Sequence, residues 1–205
     1  MESLKFLRSL YDQEMASAVG VDLAGSPRNW TGLCHLDELL GCEVAKVHGD
    51  EEIVDFIVER APSIVAIDAP LTLPRGDRAR SMRECDRALR RMGLRPLPLT
   101  LRSMRLLTTR GIRLRERLEE LGFRVIEVFP TGAQKILGIS TKRDGLERLR
   151  EDLRRLGLKN LPMDVDGDIL DAATCALIGI LHLKGLCVEV GDPEEGVIVM
   201  PKRFK

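Results

Sequence analysis

The segment DVDGDILDAATCALIG, residues 164 to 179, constrains the fold more than any other stretch. From Ile169 it is apolar almost all round, through Leu170, Ala172, Ala173, Ala176, Leu177, Ile178, Ile180 and Leu181. A helix without a polar face has to be covered on all sides by other elements. Yet this one opens with Asp164, Asp166, Asp168 and Asp171. A carboxylate at the mouth of a buried helix is costly unless it is paired, hydrogen-bonded or metal-bound. Two readings follow for Asp168 and Asp171, which lie three apart and share a helix face. In one, Asp168 is the N-cap and Asp171 occupies the third helical position, both favoured by the helix dipole. In the other, both are ligands. Asp164 and Asp166 precede Gly167 and read as a solvated loop.

The rest of the chain supplies the cover. ASAVGVDLAG (16–25) and SIVAIDAP (63–70) are apolar runs that end in an aspartate, Asp22 and Asp68, and FRVIEVFP (123–130) carries Glu127 near its end. All three read as buried strands. WTGLCHL (30–36) returns as a hairpin partner of the first, and CEVAKVH (42–48) alternates like a third strand. Helical patterns are expected over 50–60, capped by Asp50 with Ile53, Val54, Ile57 and Val58 inward, and over 131–137, 142–156 and 168–184. GLCVEV and GVIVMP close the chain as a terminal hairpin. Three strands, a helix and then alternating strands and helices predict a mixed α/β sheet covered by helices. At 205 residues the chain is expected to form one domain.

Acids at the carboxyl ends of strands lie where ligands bind in open α/β sheets. If the strands are neighbours, Asp22, Asp68 and Glu127 converge, and like charges that close need a cation between them. One such aspartate is an ordinary turn-former; three strand ends and an acidic helix mouth are not. Oxygen donors of this kind suit Mg²⁺ or Mn²⁺.

Total charge is zero but unevenly placed. From Arg75 to Arg117 there are fourteen arginines and no lysine against four acids, a net charge of +10, so the remainder carries −10. Such a patch attracts nucleic acid; a solvated, ion-paired helical surface is the alternative. Two helices are expected in this stretch, split by the two prolines of LRPLPL (94–99). Arg83, Arg87 and Arg90 recur at helical spacing, and Arg91, Arg102 and Arg105 extend the candidate phosphate-contacting set. Aromatic content is only 3%, which leaves little capacity for base stacking and favours duplex or structured substrates. Trp30, the single tryptophan, is expected to pack in or near the hairpin rather than to serve as a stacking platform.

Other chemistries find little support. The five cysteines show no C-x-x-C spacing, so a disulfide framework is not expected. The three histidines form no catalytic motif, and there is no P-loop or dinucleotide fingerprint. The opening MESLKFLRSLYDQEM lacks the apolar run of a signal peptide. No stretch approaches the roughly 18 apolar residues of a membrane span, so a cytoplasmic protein with no membrane partner is expected.

GVDLAGS, VAIDAPLTLP, RECDRALRRMG, EVFPTGAQKILG and DILDAATCALIG occur in this order. Together, over roughly residues 17 to 182, they resemble the family called domain of unknown function 429, predicted nucleases of the RNase H-like fold. The chain also resembles the Holliday-junction resolvase branch of that fold, in which a late helix supplies a D-x-x-D-A pair. The resemblance implies three antiparallel strands followed by parallel ones, in one domain over 1–205 with an arginine-rich helical insertion at about 75–121. It implies Asp22, Asp68, Asp168 and Asp171 as catalytic metal ligands, to which we add Glu127 by inference. The glutamate that RNase H proper carries on its first helix has no motif match here. The expected activity is phosphodiester hydrolysis of DNA or RNA with two Mg²⁺ or Mn²⁺ ions. Junction-type relatives often act as pairs, so the resemblance leaves a homodimer open without fixing the oligomeric state. The rivals are a non-catalytic nucleic-acid-binding module of the same fold and a phosphate-binding enzyme of the actin-like ATPase type. Against the latter, the chain is about half the length of a two-lobed kinase.

Overall fold

The computed structural model describes residues 16–76 and 81–203. The opening segment read above for a signal peptide lies outside them, as do Asp77, Arg78 and Arg80 of the arginine-rich stretch. β1 (Ala18–Asp22), β2 (Thr31–Leu36) and β3 (Cys42–Val47) form an antiparallel meander, followed by α1 (Asp50–Arg60) and β4 (Ile64–Asp68). The arginine-rich stretch folds as α2 (Glu84–Arg91) and α3 (Arg102–Glu120), and β5 (Val125–Glu127) follows. Then come α4 (Pro130–Leu137), a 3₁₀ turn over Lys142–Asp144, α5 (Leu146–Arg155), α6 (Gly167–Leu183) and the hairpin β6 (Cys187–Asp192) and β7 (Gly196–Pro201). The main sheet runs β3-β2-β1-β4-β5, antiparallel on one side of β1 and parallel on the other. That order and sense are the three antiparallel strands followed by parallel ones expected from the motifs.

Alternation along the strands divides the core into two layers. Val19, Val21, Leu33, Val65 and Ile67 face α1 and α3, meeting Ile53, Ile57, Leu114 and Leu118. Ala18, Cys34, Leu36, Ile64 and Ala66 face α6, whose residues Ile169 to Ile180 are all buried. The second layer is thin because its strand residues are small. A Cβ on Gly20 would lie 1.9 Å from the Ala172 carbonyl oxygen, and one on Gly32 would lie 2.4 Å from that of Asp168. Glycine at these two points lets the helix backbone rest directly on β1 and β2, which fixes where the acidic mouth of α6 sits. No helix among the described residues is long and apolar enough to cross a membrane.

Local differences from the sequence reading have local causes. Asp50 is not the cap of α1; Gly49 is, and the Glu52 carboxylate accepts from the Gly49 and His48 amides at 2.8 and 3.2 Å. Phe56 turns inward and Val58 is exposed, because α1 contacts the sheet over a stripe one step away. The helix expected over 142–156 is broken at Gly145, whose φ is +116°.

Candidate functional site

The site is built on a register. Asp22 and Asp68 are direct partners across the parallel pair β1–β4, so both leave the sheet on the same face. That is the α6 face, since Gly20, two residues before Asp22, abuts Ala172. α6 then carries Asp171 to the same place, where it is almost fully buried. Glu127 pairs with Ile67, one residue short of Asp68. A one-residue offset turns a strand side chain to the other face. Glu127 is accordingly engaged elsewhere: its oxygens accept from Arg83 Nη2 and Nη1 at 2.6 and 2.7 Å and from the Leu71 amide at 2.8 Å. Turned off the α6 face and neutralised by Arg83, Glu127 leaves the candidate ligand set, although its charge still adds to the upward push on Asp68.

The aspartates at the helix mouth are sorted by the register of α6. Asp166, read as loop, is the N-cap, accepting from the Asp168 and Ile169 amides at 3.1 and 3.2 Å. Asp168 is not the cap. Its carboxylate is 41% exposed and bonded to Lys46 Nζ at 3.1 Å; Lys46 also pairs with Asp166. Asp171 is held from both sides. Its Oδ1 accepts from Gln134 Nε2 at 2.9 Å and its Oδ2 from Lys142 Nζ at 2.6 Å. The capping explanation therefore accounts for Asp166 and leaves Asp171 to the site.

Lys142 is the residue that sequence reasoning missed. Its ammonium stands 2.6 Å from Asp171 and 3.5 Å from Asp22, between the helix acid and the strand acid. The turn presenting it is tied down twice. Thr141 donates through its amide and hydroxyl to Asp144 at 2.8 Å, and Ser140 does the same to Asp152 at 2.9 and 2.7 Å. A Cβ on Gly167 would come within 2.5 Å of the lysine stem, so the glycine at the start of α6 makes room for it. Gln134 was visible only as part of EVFPTGAQKILG. Its signal was a fully buried amide on an otherwise apolar face of α4.

One lysine does not balance these acids. Burial pushes the Asp22 carboxyl up; Lys142 pulls it back; Asp171 and Asp168 push it up again, to about 7. Asp68 is held well above the usual carboxylate range, first by burial and then by Asp22 and Asp171. Burial pushes the Lys142 ammonium down, but Asp22 and Asp171 outweigh it and hold the lysine above its ordinary range. Among the described residues no group of three or more His, Cys, Asp or Glu side chains is already spaced to hold a metal ion. The donor set is nonetheless all carboxylate oxygen, and Asp22 and Asp68, raised first by burial, are raised further by the neighbouring carboxylates. Hard divalent cations fit that chemistry.

The arginines divide by burial. Arg83, expected on a phosphate-facing surface, is 1% exposed and chelated between Glu127 and Asp86, the latter bonded at 3.0 to 3.1 Å. It is withdrawn from the nucleic-acid set, since its guanidinium cannot reach a phosphate. Arg110 is buried too, and donates to Asp50, to the Ala24 carbonyl and to the His48 carbonyl at 2.7, 2.6 and 2.7 Å. Arg87 and Arg91 both pair with Glu84. Arg90, Arg102 and Arg105 are exposed. The last two sit on the first turns of α3, where Met104 and Leu107 line a pocket shared with Asp68.

A family model described as "Protein of unknown function (DUF429)" matches residues 20–195. No curated protein matches the sequence. Among solved structures, the one titled "Thermus thermophilus RuvC structure" matches 82% of this chain and 96% of its own, at 16% identity and a TM-score of 0.47.

Proposed function

Starting from a chain that belongs to the DUF429 family, we propose that it is a metal-dependent nuclease that hydrolyses phosphodiester bonds of DNA or RNA. The observation that carries this reading is the in-register pair Asp22 and Asp68 facing Asp171, with a single ammonium among them. Asp22, Asp68 and Asp171 would hold Mg²⁺ or Mn²⁺, with Asp168 at the rim. When bound, the cation supplies Lewis acidity to the phosphoryl oxygens and lowers the pKa of the attacking water. The chain's own residues do the rest. Gln134 fixes one oxygen of Asp171 and so aims the other. Lys142 holds the acids together and places positive charge beside any phosphate that enters. The exposed arginines of α2 and α3 bind the phosphate backbone without reading sequence.

The same lysine favours one alternative, a nucleic-acid-binding module in which Lys142 has taken over the metal's charge. Mn²⁺ calorimetry with and without DNA, beside a cleavage screen over junctions, hybrids, duplexes and single strands, separates the two. Metal binding and cleavage that both vanish in Asp22→Asn and Asp171→Asn support the nuclease. Nucleic-acid binding without Mn²⁺ binding or cleavage, in protein that melts cooperatively, leaves the module.

A further inference from the structure

Trp30 stands near the hairpin, as its sequence context suggested, but only in part packed: His48 lies against its ring and it stays 51% exposed. It ends the β1–β2 connection and lines an open basin of about 420 Å³ with Asp22, Arg28, Asn29 and Asp168. The only tryptophan of the chain thus shares one surface depression with Asp22, the strand acid at the edge of the carboxylate site, and with Asp168. We propose that Trp30 is a stacking platform for one unstacked nucleobase of a strand whose phosphate enters the Asp22–Asp68 site. The inference rests on the nucleic-acid reading above and specifies its substrate: a base free of its own stack beside the bond to be cut.

The ring is held in place before any ligand arrives. His48 lies against it, with ring centroids 3.7 Å apart and planes 30° apart. Arg110 bonds the carbonyls of both Ala24 and His48, tying the connection that bears Trp30 to the residue behind it. The Ala24 amide donates to Thr31 Oγ1 at 3.1 Å, closing the connection from its other end. A platform fixed in this way loses little entropy on binding.

The surroundings choose the ligand class. A hydrophobic protein contact would want further apolar side chains around the tryptophan. Here the surroundings are mixed: among the described residues, Leu23 and Ala24 are the only apolar side chains lining the basin beside the indole. Arg28 and Asn29 are exposed, Asp22 and Asp168 complete the basin, and the Lys46 ammonium stands 5.7 Å from the ring centroid. A planar ring with polar edges and a phosphate attached suits that mixture. The indole takes the π-face of any base, and Arg28 is a bidentate partner for the phosphate.

Because Trp30 is the only tryptophan, its emission reports contact directly. The full chain is titrated in EDTA, to prevent cleavage, with a labelled oligothymidine single strand, a duplex carrying one unpaired base and a fully paired duplex. Label anisotropy gives binding; tryptophan emission gives contact. The expected result is quenching by the first two probes and little by the third. Trp30→Ala should bind the first two roughly tenfold or more weakly and the paired duplex unchanged, with Trp30→Phe close to wild type. Quenching without any cleavage in Mn²⁺ upholds the platform and removes the nuclease. Binding by anisotropy with unchanged emission, or equal affinity of Trp30→Ala for all three probes, overturns the platform and leaves the nucleic-acid reading standing. No binding of any probe, whether in EDTA or with Ca²⁺ in its place to neutralise the carboxylates, overturns both.

Discussion

Asp22 shows how much of the site is decided at the level of single side chains. Its carboxyl titrates near 7 in the folded protein, against an ordinary value of 3.8. The folded state therefore binds this proton more tightly than the unfolded chain does. The stability so gained is complete below about pH 4 and is lost as pH rises through about 7. Thermal melts in chelator are expected to show falling stability across that window, and Asp22→Asn should flatten the fall. Added Mn²⁺ should reverse the trend, because metal binding displaces the proton and gains with pH. Parallel slopes for wild type and variant would mean that Asp22 is not the acid that burial has raised. At this scale Asp22, Asp68 and Asp171 were legible, because acids in apolar runs stand out. Lys142 was not, since a lysine in TKRD resembles any surface lysine until the turn is folded back over Gly167.

At the scale of elements, α6 and the strands beneath it are one device. The helix has to lie backbone-on-backbone against β1 for Asp171 to reach Asp22, and Gly20 is what permits it. Gly20→Ala places a methyl 1.9 Å from a carbonyl oxygen in two elements that cannot both retreat. The expected cost is about 3 kcal/mol, at the upper end for an overpacked core, lowering the melting temperature by roughly 6–12 °C. Chemical denaturation would check it; a loss under about 1 kcal/mol would mean that the helix shifts freely on the sheet. The helix and the strands β1 and β4 were legible because burial on both faces leaves a continuous apolar run, and β3 because its residues alternate. The roles of Glu127 and Arg83 were not. Their meaning depends on β5 pairing with β4 one residue out of step with Asp68, and register between strands distant in sequence leaves no trace in either one.

Across the whole molecule the fourteen arginines from Arg75 to Arg117 read as one basic patch, and the fold divides them. Arg83 and Arg110 are spent inside, while Arg102 and Arg105 remain outside at the start of α3. Arg102→Ala and Arg105→Ala are each expected to weaken nucleic-acid binding about equally for all sequences. Each should reduce the slope of log affinity against log salt by about 1. Salt titrations by anisotropy would measure this, and an unchanged slope would place the backbone elsewhere on the surface. The sequence alone determined the order of strands and helices along the chain, the need to cover one apolar helix and the acids at strand ends. These follow from hydrophobic periodicity and from the cost of burying charge, both of which are local. Only the tertiary structure decided which acids meet, which arginines stay free, that Lys142 stands among the carboxylates and that Trp30 faces the solvent. Those outcomes depend on register and on close approach between segments far apart in the chain, where a shift of one residue exchanges the inside for the outside.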